Sequence, residues 1–336
     1  TPEFNVNISQ LPFWSLSLYF TWRCIKNDNL PDFIFLGIFL SLGILSKYLF
    51  IYLAAGIKFL FIFLLIKGKQ IDLLKVFLTG FISLLILSPH LLWLFENNFS
   101  TLAYGLERTG GIGKFSDHII YPTIFIIKQL GILIPFILLC YTLINKFKPK
   151  INFQDSKIIF SFFTILVPII LMIITSFIMG AKIRTMWMTP FYLGAGIIII
   201  EIFKNYIHIR KLKNFYFLSI FFLFFSPLLY FCVSIIDDTK RTDYPGKEIS
   251  RLVQNKWDDN FTNKIKIVIG DEWSAGNLSY HLESRPIWLN ELKDKTFKIQ
   301  EDQGVIYTGN PKILKKVCPG VFGSIKPVGY CMIGSK

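Results

Sequence analysis

The chain has 336 residues, 53% hydrophobic and 17% charged, at mean hydropathy +0.51, against about 25% charged for soluble domains, which excludes an ordinary soluble protein. The formal net charge is +14, and most of it lies in the apolar part: residues 1–236 hold 20 Lys/Arg against 9 Asp/Glu, residues 237–336 hold 16 against 13. Positive loops between apolar runs are a topology signal before they are a nucleic-acid signal, so no nucleic-acid partner is expected.

A membrane-spanning helix needs about 20 apolar residues. Read in chain order, such segments fall at about 8–26, 32–46, 48–66, 71–95, 118–145, 156–179, 187–203 and 213–236. The fold class expected is therefore mostly α: a polytopic membrane helix bundle of about eight transmembrane helices, residues 1–236. A small C-terminal α/β domain, residues 237–336, follows. The chain opens on Thr1, with neither an initiator Met nor a leader pattern, and is read as lacking an N-terminal portion.

Segments 32–46 and 48–66 form a hairpin whose turn falls at Lys47. One set of segment ends carries Arg23, Lys26, Lys67, Lys69, Lys75, Lys146, Lys148, Lys150, Lys157, Lys204, Arg210, Lys211 and Lys213. The other carries Lys47, Arg108, Lys114, Lys182 and Arg184. The positive-inside rule makes the first set cytoplasmic. The expected localisation is the inner (plasma) membrane, multi-pass, with the C-terminal domain extracytoplasmic. The stretch 96–117 reads as a long outer loop.

In the tail, Ile249, Leu252, Val253 and Trp257 share one helical face, and "KIKIVIG" and "GVIYTG" read as strands. "GDEWSAGN" follows a strand but lacks the GxGxxG spacing of a dinucleotide site. Cys24, Cys140 and Cys232 lie in or beside apolar segments as small apolar residues. Cys318 and Cys331 can pair if the tail faces an oxidising compartment.

Few residues offer chemistry. Lys47 is either a lysine snorkelling to headgroups or a cation facing a cavity that holds a phosphate. Lys182 and Arg184, beside Trp187, suit an anionic headgroup or plain interfacial anchoring; Arg108 is a weaker candidate of the same kind. His90, in "SPHLLW", is an interfacial histidine or an acid/base. Glu3 is favoured electrostatically at a helix N-terminus and is also an acidic candidate for an outer cavity. His118, His208 and His281 show no metal spacing. Lys58 and Lys128 are the deepest charges and are expected to face the bundle interior or a water-filled pocket.

Several stretches resemble membrane glycosyltransferases of the dolichyl-phosphate-mannose-protein mannosyltransferase type, family 39 of the GT-C superfamily. They are "TPEFNVNISQLPFWSLSLYFTWR", "LGIFLSLGILSKYLFIYL", "LSPHLLWLFENNFSTLAYGLERTGG", "RTMWMTPFYLGAGI", "RTDYPGKEISRLVQNKW" and "GNLSYHLESRPIW". The resemblance implies transfer of a sugar from a polyprenyl-phosphate donor to a lipid, glycan or protein acceptor outside the cytoplasm, with inversion. It places Lys47 at the donor phosphate, with Lys182 and Arg184 as further cations, and puts the main catalytic carboxylate upstream of Thr1. Glu3 stands at the family's Thr-Pro-Asp position. A divalent metal is left open as the one candidate cofactor. Two other readings share the helices and cations: a transporter or flippase of a lipid-linked sugar, and a non-catalytic membrane scaffold.

Overall fold

The computed structural model describes residues 5–109, 114–236, 244–290, 303–326 and 328–335. The chain divides into two compact units, Thr1–Phe231 and Cys232–Lys336.

The first unit is helical. Asn5 caps α1 (Val6–Ser9) by accepting the Asn7 N–H at 2.9 Å. Pro12 and Pro31 start α2 (Leu11–Asn27) and α3 (Leu30–Ser46), positions where the missing N–H costs nothing. Asp28, at φ 51, turns α2 into α3. Buried Asp32 there pairs with Arg23 at 2.9 Å, and Lys75 reaches Asp28 at 2.9 Å. A short 3-10 turn, Tyr48–Phe50, leads into α4 (Ile51–Ile66). Then come α5 (Leu73–Glu96), α6 (Ser100–Arg108) and α7 (Asp117–Leu143). After α8 (Ser156–Ser161) the helix widens into a π-turn, Phe162–Leu166, and resumes as α9 (Val167–Met179). Pro168 explains the widening: it has no N–H, and its ring would clash with the carbonyl four residues back in a regular helix. Two 3-10 turns, Thr185–Met188 and Pro190–Tyr192, precede α10 (Ala195–Phe203), and α11 (Leu212–Ile236) follows.

All eight expected segments are helical, but fewer meet the requirements of a span. Among the described residues, five stretches are long and apolar enough: Tyr48–Ile66, Leu73–Glu96, Asp117–Leu143, Ser156–Met179 and Ile209–Ile236. A sixth is the pair Thr185–Tyr192 and Ala195–Tyr206, bent by 54°. Helices α2 and α3 are 17 residues each, short of the usual span, and α2 carries Arg23 and Lys26 in its last turns. The chain is a polytopic membrane protein with these helices as its frame.

The 30–66 hairpin forms as expected. Phe33, at the start of α3, meets Phe61, near the end of α4, with ring centroids 6.2 Å apart. A Cβ at Gly43 would collide with the Phe50 ring, so the turn closes only over a bare backbone. The core centres on Trp14, whose ring lies 5.2 Å from Phe50 and 4.8 Å from Phe191. Hydrogen bonds between helices pin the apolar surfaces: Thr79 to the Phe33 carbonyl (3.0 Å), Ser83 to the Gly37 carbonyl (2.9 Å), Tyr52 to Thr175 (2.9 Å) and Tyr192 to Gln129 (2.9 Å). Such bonds contribute about 0.6–2 kcal/mol each inside a membrane.

Two expectations fail here. Lys58 and Lys128 do not face the bundle interior; both are exposed on the outer surface of this unit. Their helices are apolar all round, so periodicity has no face to report. The expected loop 96–117 contains α6.

In the second unit, a five-stranded sheet has the order β2-β1-β3-β5-β4, with β1 Ile265–Ile269, β2 Ile287–Leu289, β3 Gly304–Gly309, β4 Val321–Ile325 and β5 Val328–Ile333. Strand β1 runs parallel to β2 and β3, and β5 is antiparallel to β3 and β4. The helices are α12 (Gly246–Asp258), α13 (Ser274–His281) and α14 (Pro311–Val317). Ile249, Val253 and Trp257 of α12 pack with Val268, Leu278, Ile306 and Met332. Leu252, expected on that face, is exposed: it lies one residue before Val253, at the edge of a stripe set by the 3- and 4-residue steps. Cys318 and Cys331 form a disulfide that ties the end of α14 to β5. In "GDEWSAGN", the Asp271 carboxylate accepts the N–H groups of Trp273 (2.8 Å) and Ser274 (2.9 Å). Burial opposes its ionisation, but the Ser274 hydroxyl and these N–H groups outweigh that and hold it below the usual carboxylate range.

Replacing Gly43 with Ala is expected to lower the thermal midpoint of the purified protein, because the added methyl meets an aromatic ring that Trp14 holds from behind. Trp257→Ala is expected to cost the second unit about 3–5 kcal/mol, measured by denaturant unfolding. It removes a side chain 1% exposed whose indole N–H donates to the Asn263 carbonyl at 2.7 Å.

Candidate functional site

The end of the helical unit that carries the Lys47 turn gathers most of the polar candidates. Lys47 caps α3 in an extended conformation (φ −167, ψ 133). Its ammonium donates to the amide oxygen of Asn7, 40 residues earlier, and lies 5.1 Å from the centre of the Trp187 ring. Asn7 is buried. Three distant segments thus meet at one charge: α1, the hairpin turn and the 185–188 turn. Beneath them the Trp14, Phe50 and Phe191 rings form an apolar floor. Lys47 is half-buried, and burial pushes its pKa down from 10.5 to about 8. A cation so placed is partly stripped of water and has only one hydrogen-bonding partner among the described residues, with three donors to satisfy. It can take an anionic oxygen.

The next residue builds a second cluster. The Tyr48 hydroxyl lies 2.6 Å from His90 Nε2 and 2.7 Å from the Thr101 hydroxyl. One of these oxygens must donate to the next: the protons point from Thr101 through Tyr48 to His90, or the reverse. The His90 ring stacks on Trp93 at 5.8 Å, nearly parallel. His90 is therefore oriented, half-buried and one residue's breadth from the Lys47 turn, which suits proton transfer as well as positioning.

The other cations are placed less tightly. The Lys182 N–H donates to the Thr109 carbonyl at 2.9 Å, so the end of α6, with Arg108, meets the turn after α9. Arg108 lies over the Tyr104 ring at 5.0 Å. The side chains of Lys182 and Arg184 are exposed, and Arg184 directly precedes the 185–188 turn that carries Trp187. Glu3 lies outside the described residues. Among the described residues, no group of three His, Cys, Asp or Glu is arranged to hold a metal ion.

Of the residues the structure brings together here, the sequence singles out Lys47, His90 and Trp187 but not Asn7, Tyr48 and Thr101. Asn7 and Thr101 are polar residues in ordinary positions, and nothing local marks them. Tyr48 carried one signal, its place beside the only charge in the apolar run 40–53.

Residues 1–93 match the family model described as dolichyl-phosphate-mannose-protein mannosyltransferase. The matched stretch holds Asn7, Lys47, Tyr48 and His90, and stops short of Thr101 and Trp187. No curated protein and no solved structure matches the chain.

Tyr48→Phe is expected to lower stability by about 1–3 kcal/mol, two hydrogen bonds at ~0.5–1.5 each. The check is the thermal midpoint of the detergent-purified protein beside that of His90→Gln, which keeps a partner for the hydroxyl and should lose less.

Proposed function

We propose that the protein is a glycosyltransferase that moves a sugar from a polyprenyl-phosphate donor to a lipid, glycan or protein acceptor at the outer face of the membrane. The observation that carries this reading is the half-buried ammonium of Lys47, held by Asn7 and Trp187 within a stretch that matches a mannosyltransferase family. The membrane-length helices supply the setting that a lipid-linked donor needs.

The reaction is a single displacement with inversion. The acceptor hydroxyl oxygen attacks the anomeric carbon, and the bond from that carbon to the phosphate oxygen breaks. The polyprenyl phosphate leaves with the electron pair, and its growing charge is met by Lys47. Lys182, Arg184 and Arg108 act at longer range as a positive rim that gathers the phosphate. The acceptor's proton passes to a carboxylate, for which Glu3 is the acidic candidate in this sequence. His90, through Tyr48, keeps the turn in register.

Two observations support an outward-facing Lys47 end and an extracytoplasmic tail. The opposite helix ends carry 13 Lys/Arg against 5, which favours the cytoplasm for them. The Cys318–Cys331 disulfide suits an oxidising compartment.

Lys47→Ala in the full-length protein is expected to reduce transfer at least ~100-fold, the scale of losing one transition-state donor, while insertion stays as in the wild type and the thermal midpoint falls only by what the lost Asn7 and Trp187 contacts contribute. A polyprenyl-phosphate sugar assay that finds turnover unchanged overturns the role. The pH dependence is a second check. The lysine is charged below about 8 and neutral above it, so donor binding should weaken as pH rises from 7 to 9. Lys47→Arg, whose guanidinium stays charged, should bind without that decline.

A further inference from the structure

The opposite end of the helical unit holds a groove that the proposed reaction does not use. It has a volume of about 440 Å³, within the ~300–1,000 Å³ of small-molecule sites. One wall is a single face of α2: Ser15, Leu18, Tyr19 and Trp22. The others are Phe160 and Ser161 of α8, and Leu193, Gly194 and Ile197 at the start of α10. Its charged mouth is Lys157 and Glu201, paired at 3.4 Å. Lys204 adds to that mouth, 3.2 Å from Glu201 and 3.4 Å from Asp155.

Two features mark this as more than an uncovered apolar face. Ser161 is one of the residues lining the groove, and its hydroxyl is fully buried with no hydrogen-bond partner among the described residues. Thr164, three residues on, satisfies its own hydroxyl on the Phe160 carbonyl at 2.8 Å, so an idle hydroxyl is not the rule on this helix. An unpaired buried hydroxyl costs about 1–3 kcal/mol. The second feature is the order of the groups. Ser161 lies four residues beyond Lys157, one helical turn or ~5.4–6 Å deeper. Most of the remaining lining surface is apolar.

We propose that this groove holds one chain of a glycerophospholipid, with the phosphate at Lys157 and an ester carbonyl on the Ser161 hydroxyl. A phosphodiester, then an ester carbonyl about a turn deeper, then a hydrocarbon chain is the sequence of groups in such a lipid, and it is the sequence of partners along α8. Lys157 is more than half exposed and has one acidic partner among the described residues, leaving donors for phosphate oxygens. Glu201 and Asp155 at the same mouth suit an amine, so phosphatidylethanolamine is the lipid of choice. A transmembrane helix from a partner protein would fill the apolar walls but would bring no phosphate to Lys157.

The test uses the full chain in detergent and native mass spectrometry with added phosphatidylethanolamine or diacylglycerol. Wild type should retain phosphatidylethanolamine at least tenfold better than diacylglycerol, which lacks the phosphate. Ile197→Trp, which fills the groove from its exposed side, should abolish retention, and Ser161→Ala should weaken it several-fold without lowering the thermal midpoint. Equal retention by Ile197→Trp and wild type overturns the proposal. So does equal retention of the two lipids. A photo-crosslinker at Ile197 that captures a polypeptide in cell membranes, with no lipid retained by the wild type, assigns the groove to a helix and overturns it as well.

Discussion

A charged side chain close to a bilayer must be accounted for by its neighbours, and here the charge of Lys47 organises the end of the bundle around it. Near hydrocarbon an ammonium keeps its charge only with oxygen or π-electron partners at hand. The partners come from α1 and from the 185–188 turn, so one side chain fixes where three separate parts of the chain meet. The aromatic floor beneath it serves the same end. With Phe50 packed edge to face on Trp14 and Phe191 tilted against it, the turn is held against sliding along the helices.

That arrangement also separates two jobs. Lys47 supplies charge; its neighbour Tyr48 supplies geometry, by bracing the turn against α5 and α6 through His90 and Thr101. Adjacent residues in an extended turn point different ways, so one turn can face a site and grip the scaffold at once. A polar cluster on the protein side of a cation does not compete for an incoming anion. It holds the cation still, which is what electrostatic stabilisation of a leaving group needs.

Much of the architecture was legible in the residues. A lone lysine in the apolar run 40–53 marks the hairpin, and the stretches "KIKIVIG" and "GVIYTG" mark β1 and β3 of the second unit. What stayed hidden depends on distance along the chain or on faces that composition does not distinguish. Asn7 lies 40 residues from Lys47, and its sequence neighbourhood is that of an ordinary helix start. Lys58 was assigned inward by the general cost of charge in lipid, but α4 is apolar on every side and its packing on α9 leaves that lysine outside. The bend before α10 and the shortness of α2 and α3, 17 residues each, make three segments weaker spans than their apolar counts imply. The family match over residues 1–93 covers the part where the legible lysine lies, with Asn7, Tyr48 and His90, while Thr101 and Trp187 come from beyond it.

The π-turn at 162–166 has a consequence for how one helix can serve two sets of neighbours. Ahead of it, α8 packs against α10; beyond it, α9 packs against α4 and α7. An extra residue in a helix advances its faces by about 100° without changing its direction. The segment Ser156–Met179 therefore behaves as a shaft with a phase step cut into it, with each half keyed to a different surface. Its length answers to the membrane, while its phase answers to the neighbours. A homologous chain could exchange almost any apolar side chain along this segment, but it could not drop one residue without turning one half away from the surface it was cut to fit.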